Sequence, residues 1–226
     1  MCGRIALYSD VPRLARMLDA GIDPEVVDEL RPSWNIGPMS IILGVSGDPA
    51  GQRTMGLYRW GLVPAGAKDP ASIRNTFNAR AETVASRPTF RAAFRQRRIL
   101  VPVDAFYEWK GGTPKQPYVF QRADGDPVVF AGLREHWRGA DGSELRTATI
   151  ITTEAGPDMP VHDRQPVVLE RGAWEHWLDP DATDREELQS LLAPGAAGTL
   201  VHYPVGRGVG NVRNDGPELV REIAAP

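Results

Sequence analysis

The chain has one cysteine in 226 residues. That excludes an intrachain disulfide and any zinc site built on several thiolates, and we expect no metal and no cofactor. No apolar run approaches the roughly 18 residues a membrane helix needs, and no early apolar stretch resembles a secretion signal. No membrane partner is therefore expected, and a reducing cytoplasm is the simplest home. Positive charge is not in excess either: the formal net charge is -3, so nothing global marks a nucleic-acid binder and any DNA site has to be a local basic surface.

Glycine and proline are plentiful, 23 and 20 residues spread along the chain, which points to many short elements joined by tight turns. The length suits one large domain, 1–226 with a core of about 2–220, able to bury its own core. Alternating stretches predict strands over residues 1–8, 40–45, 52–60, 99–110, 118–121, 128–133, 147–153 and 200–205. The stretch 40–60 reads as a hairpin, and 118–133 as a second hairpin across Ala123-Asp124-Gly125. Residues 34–38 read as a turn-rich loop. Helices are expected after Ser9-Asp10-Val11-Pro12, over Arg87–Arg98 with Phe90 and Phe94 inward, and over 171–178 and 185–192. The fold class is α+β, strand-dominated, in a single domain.

Cys2 directly follows Met1. Methionine is usually trimmed before so small a side chain, and the mature chain would then carry an amine and a thiol on adjacent carbons. An aldehyde meeting that pair forms a Schiff base with the amine, and the thiol closes a five-membered thiazolidine. The second step is intramolecular and gains from proximity. An α-amine titrating near 7.7–8.0 is partly deprotonated at neutral pH, and a thiolate would gain from a cation such as Arg4. The plain alternative is a lone cysteine that packs as a small hydrophobe.

Three further segments carry reactive groups. In Arg74–Thr83, Asn78 and Arg80 share a face if the stretch is extended; an amide suits a sugar and an arginine suits a phosphate, although turn and cap roles fit each residue alone equally well. Glu108 lies between Tyr107 and Trp109, whose rings could desolvate it and raise its pKa for proton shuttling, with a solvated strand residue as the alternative. His162, beside Asp163, is a candidate acid or base. Arg87, Arg91, Arg95 and Arg98 recur every three or four residues, one helical face that could follow a phosphate backbone or simply be solvated. Trp34, Tyr58, Trp60 and Phe106 are candidates for base stacking or for core, and Tyr107 and Trp109 are assigned to the core.

Taken in order, Met1-Cys2-Gly3-Arg4, Trp34–Pro38, Arg59–Pro64, Asn75–Thr83, Asp104–Trp109, Lys115–Tyr118, Phe130–Leu133, Val161–Pro166 and Gly210–Asn214 resemble the SRAP family, the SOS-response-associated peptidase domain of abasic-site-crosslinking proteins. The resemblance spans nearly the whole chain and implies a distorted antiparallel β-barrel with flanking helices. It implies covalent capture of abasic sites in single-stranded DNA by Cys2 during the DNA damage response, in a monomer that is nucleoid-associated when acting on DNA. Asn78 would hold the sugar part of the adduct, Glu108 would assist ring opening and Schiff-base chemistry, and His162 would move protons, including in reversal. Arg4 and Arg80 would contact phosphates, with Asn35 and Pro38 lining the pocket. A side activity as an abasic-site lyase is implied, and so is thiol autopeptidase activity exposing Cys2. The sequence departs from some relatives at Ala65-Gly66-Ala67-Lys68, where a wedge of bulky aromatics is missing. Two other readings remain open on the residues: a cysteine peptidase with Cys2 as nucleophile and His162 as base, and a noncatalytic nucleic-acid binder.

Overall fold

The structure is a computed structural model, and it describes residues 2–224. Its strands among the described residues are β1 (Ile5–Leu7), β2 (Ala20–Ile22), β3 (Ser33–Ile36), β4 (Ile41–Gly47), β5 (Arg53–Trp60), β6 (Asn78–Arg80) and β7 (Arg98–Val103). They continue with β8 (Ala105–Lys110), β9 (Gln116–Arg122), β10 (Val128–Arg138), β11 (Glu144–Glu154), β12 (Arg164–Pro166) and β13 (Leu200–Pro204). Helices are few and short, so the α+β expectation holds.

Five strands close a barrel. Antiparallel pairing runs β11–β10–β7–β4–β5, and a parallel pairing of β5 with β11, Arg59 opposite Thr147 and Trp60 opposite Ala148, completes the ring. The β4–β5 hairpin is the one expected; Asp48 sets its turn by accepting the amides of Ala50 and Gln52, each at 2.9 Å. Close packing inside the barrel depends on two glycines. A Cβ on Gly132 would lie 2.8 Å from Val101 Cγ2, and one on Gly44 would lie 2.9 Å from both Ile99 Cδ1 and the Tyr58 ring, distances at which something has to move.

A second sheet, β13–β9–β8–β1–β3, is antiparallel throughout. The expected single strand over 99–110 is cut at Asp104. Its carboxylate accepts the amides of Tyr8 at 2.5 Å and Ser9 at 2.7 Å, and the Ser9 hydroxyl at 2.5 Å. The chain turns a corner there, leaving β7 in the barrel and β8 in the second sheet. This corner corrects another expectation. Residues 118–133 form no hairpin, because β9 pairs with β8 and β13 while β10 pairs with β7 and β11. Residues 34–36 of the expected loop 34–38 instead belong to strand β3, paired with β1: a short strand that tertiary pairing creates.

The helix Val11–Leu18 begins as expected, with the Asp10 carboxylate accepting the Arg13 amide at 2.8 Å and Leu14 and Leu18 buried. The arginine helix is shorter than expected, Arg91–Gln96, with Phe90 and Phe94 buried as foreseen. Arg98 is not on its exposed face. It is 3% exposed and donates to the carbonyls of Phe94, Arg95, Trp177, Asp179 and Ala182, closing the ends of two helices. Arg97 pairs with Glu135 at 2.7 Å. The arginine stripe open to a ligand therefore stops at Arg95.

Candidate active site

The chain enters β1 beside β8, Ile5 opposite Phe106 and the Tyr107 amide donating to the Arg4 carbonyl at 3.0 Å. Carried back along that antiparallel register, Gly3 faces Glu108. On the other side, β6 lies parallel to β11 with Asn78 opposite Ile150, and Asn78 Nδ2 donates to the Cys2 carbonyl at 2.6 Å. Asn78, 76 residues along the chain, thus holds the Cys2 carbonyl while β8 holds Arg4.

Cys2 is fully buried. Its thiol is pushed well above the ordinary range, by burial first and then by the Glu108 carboxylate, against a hydrogen bond from the Arg4 backbone amide. Glu108, 4% exposed, is itself pushed up to about 7, chiefly by desolvation; the Asp163 charge adds to the rise and the Trp109 amide opposes it. The dry setting expected for this carboxyl is what the fold provides. Asn78 Oδ1, by contrast, is buried with no hydrogen-bond partner among the described residues, an acceptor beside Cys2 of the kind that calls for a donor.

His162 sits in the loop between β11 and β12, half-buried, and its pKa is lowered by desolvation. Its Nδ1 lies 3.0 Å from the Arg164 amide and 2.7 Å from Asp163 Oδ1. A neutral ring accepts the amide at Nδ1 and carries its proton on Nε2; a protonated ring donates to Asp163 instead. The lowered pKa makes the neutral form the resting one at pH 7. Asp163 is therefore in place as a partner for the imidazolium, a role adjacency in sequence alone does not establish.

Arg164 and Glu82 do not stand out in the sequence as a pair. The Arg164 guanidinium clasps both oxygens of Glu82, at 2.5 and 3.1 Å, and the Thr152 carbonyl at 2.7 Å. This fork ties the His162 loop to the turn after β6, so it fixes His162 relative to Asn78. Both residues lie in the family-like segments, but a pairing across 82 positions has no local signal.

Arg4 Nη1 donates to Asn35 Oδ1 at 2.7 Å and the Val209 carbonyl at 2.5 Å, and its guanidinium lies 5.9 Å from the Trp109 ring centre. The Asn35 amide nitrogen holds the carbonyls of Asn211 and Asn214, at 2.9 and 2.7 Å. Asn35 is thus spent on docking the C-terminal segment against Arg4, while Pro38 is half-buried beside it in sequence. Arg80, Arg87 and Arg91 are exposed. Trp60 and Phe106 are fully buried and Tyr58 is 6% exposed; the Trp60 indole donates to the Phe77 carbonyl at 2.8 Å. These three rings are core and offer no face to a base. Trp34 stacks on Tyr8 at 5.4 Å. Tyr107 is core as expected, whereas Trp109 is only half-buried.

A cavity of about 810 Å³ is lined by Asp19, Asp48, Arg53, Glu175, Asp179 and Asp181 among others and by none of the residues that surround Cys2. Its acidic lining repels a polyanion, so size does not locate the chemistry here.

The family model described as SOS response associated peptidase (SRAP) matches residues 1–212. The chain belongs to the SRAP family. Its SRAP relatives include the abasic site processing protein YoqW of Bacillus subtilis (strain 168), 38% identical over 97% of this chain and 99% of that protein. They also include the abasic site processing protein YedK of Escherichia coli (strain K12), 30% identical over 99% and 100%. Among solved structures, this SRAP fold resembles a protein from Bacteroides thetaiotaomicron with a TM-score of 0.88 at 22% identity, covering 98% of this chain and 100% of that one. A Bordetella bronchiseptica protein gives 0.77 at 29% identity, covering 91% and 100%. No helix among the described residues is long and apolar enough to cross a membrane, and none of their acidic, histidine or cysteine side chains cluster as a metal site would.

Proposed function

We propose that this protein captures the aldehyde of an abasic site in single-stranded DNA, with the amine and thiol of Cys2 closing a thiazolidine once Met1 is removed. The observation that carries the reading is the position of Cys2: buried, gripped through its carbonyl by Asn78, and within electrostatic reach of a carboxyl held near neutrality. The names of the SRAP relatives support the lesion as substrate.

The amine adds to the sugar aldehyde, giving a carbinolamine. Glu108, protonated in part at pH 7, donates to the departing hydroxyl; water leaves and a Schiff base forms. The sulfur then bonds to the imine carbon, the thiol proton passing to the imine nitrogen through the adjacent base. Aldehyde plus cysteine thus becomes thiazolidine plus one water. Neutral His162 accepts and returns protons in this sequence, and Asn78 Oδ1 receives a sugar hydroxyl. Arg4, Arg80, Arg87 and Arg91 hold flanking phosphates, and Pro38 lines the pocket. At the Schiff base, loss of the neighbouring sugar proton and of the 3′-phosphate would constitute a minor lyase activity.

A peptidase acting on other chains is the second reading. It wants a thiol whose pKa is depressed by its base, and here burial and Glu108 raise it. Removal of the chain's own Met1 is compatible with both readings.

Intact mass measurement before and after mixing with an oligonucleotide bearing one abasic site tests the proposal. We expect a chain beginning at Cys2, and an adduct that survives denaturation. Cys2→Ala, or prior capping of the aldehyde with an alkoxyamine, is expected to eliminate that adduct. A chain that keeps Met1, or stays unmodified by the lesion, refutes the proposal.

A further inference from the structure

The barrel has a second opening, away from Cys2. Side chains alternate along strands, and the pairings Ser46–Thr54, Trp60–Ala148, Arg134–Ala148 and His136–Arg146 place one set on a common face. That set is Ser46 of β4, Thr54, Gly56 and Tyr58 of β5, Arg134 and His136 of β10, and Arg146 of β11. In a closed barrel, residues from four strands meet in one place only on the inside. They line a cavity of about 250 Å³ together with Asp23, Met55 and Glu135. Trp60, further along β5 on the same face, is fully buried and donates to the carbonyl of Phe77, next to Asn78.

The mouth is rich in donors, and its carboxylates are already engaged. Glu135 pairs with Arg97 at 2.7 Å, and Asp23 with Arg146 at 3.4 Å, an arginine that Glu25 also binds. His136 pairs with Glu144 at 2.9 Å. Arg134 has no ion pair or side-chain hydrogen bond among the described residues, and its Nε is buried without a partner. Gly56 leaves a seat between donors: a Cβ there would stand 3.5 Å from the Tyr58 hydroxyl and 3.8 Å from an Arg146 guanidinium nitrogen. An unpaired guanidinium, a second one beside it and three hydroxyls, all lining one cavity, suit an oxyanion.

We propose that this mouth binds a small free phosphomonoester or inorganic phosphate, with Arg134 as the principal ligand and the Tyr58 hydroxyl and Arg146 completing the cradle over Gly56. The site is separate from the Cys2 chemistry.

Titration of the full chain with inorganic phosphate and with ribose 5-phosphate, at constant ionic strength, tests this by amide NMR. Saturable shifts centred on Gly56, Tyr58 and Arg134 are expected. Arg134→Gln should weaken binding at least about tenfold, as loss of a charge-assisted bond does, and Gly56→Val should block the seat. Arg87→Gln with Arg91→Gln should leave the affinity unchanged, and Arg134→Gln should leave the yield of abasic-DNA adduct unchanged. The proposal is overturned if the wild-type chain gives no saturable response, if Arg134→Gln binds as tightly as wild type, if the response follows Arg87 and Arg91 instead, or if only a 5′-phosphorylated oligonucleotide binds.

Discussion

Glu108 carries the most consequence of any single residue in the proposed chemistry, because its environment would set both a rate and a stability. Its carboxyl holds a proton up to about 7 in the folded chain, while an unfolded glutamate releases it near 4.3. Its contribution to stability is therefore fullest below the lower value and falls as pH rises towards 7, by about 1.4 kcal/mol per pH unit and roughly 4 kcal/mol in all. Glu108→Gln should flatten that decline in urea unfolding measured from pH 4 to 8. The same substitution should slow adduct formation by about 10²-fold or more. In the wild-type chain the rate should be bell-shaped: it climbs as the Cys2 amine loses its proton near 7.7–8.0 and falls as Glu108 ionises. Single-turnover rates against pH read both limbs, and a Glu108→Gln profile that kept its alkaline fall would exclude the acid role.

Asn78 makes a different residue-scale test. Its Nδ2 grips the Cys2 carbonyl and its Oδ1 awaits a donor. Asn78→Ala should lower the capture rate by about one to two powers of ten, in line with the loss of a preorganised polar partner, while shifting stability by less than about 2 kcal/mol. A rate unchanged within error would mean that Asn78 only anchors the backbone.

Among the elements, the arginine segment shows how position changes the meaning of one residue type. Arg87, Arg91 and Arg95 remain exposed, but Arg98 is buried as a cap on carbonyls of two helices. Arg98→Met strands those carbonyls, and we expect a loss of about 3 kcal/mol in chemical denaturation, with DNA affinity per folded molecule unchanged. Removing Arg87 or Arg91 should do the reverse. Stability should stay within about 0.5 kcal/mol, and the slope of log affinity against log salt on single strands should fall by about 0.7 for each phosphate that is no longer neutralised. Fluorescence anisotropy across a salt series separates the two outcomes. Spacing alone overestimates the length of this helix, since a four-four-three repeat of arginines does not reveal that the last of them turns inward.

For the whole molecule, the meeting of the second sheet with the strands that flank β11 is what assembles the site. Cys2 enters with β1, Asn78 with β6, Glu108 with β8 and His162 with the loop before β12, and the Arg164–Glu82 fork locks the last of these to the second. Glu82 is held below its usual range by that fork and is largely exposed. Glu82→Gln should therefore act by releasing the His162 loop more than by lowering stability: we expect under about 1 kcal/mol together with a slower reversal of the adduct. Reversal rates unaffected by the substitution would assign the fork to folding alone.

Local chemistry is legible in the chain as written. The amine and thiol of Cys2 are neighbours by covalent structure, the Asp10 cap and the β4–β5 turn are short-range hydrogen bonds, and the alternation of Asn78 with Arg80 follows from the strand period. Pairing across long separations is not, because a strand carries no mark of which partner it will meet. For that reason β9 and β10 look like one hairpin in the sequence, β3 looks like loop, and Trp60 looks available to a base. Only the tertiary fold decided that Glu108 would be dried to a pKa of about 7, that Arg98 would face inward, and that Arg134 would have no carboxylate partner among the described residues, since burial and charge pairing are properties of residues brought together from distant positions.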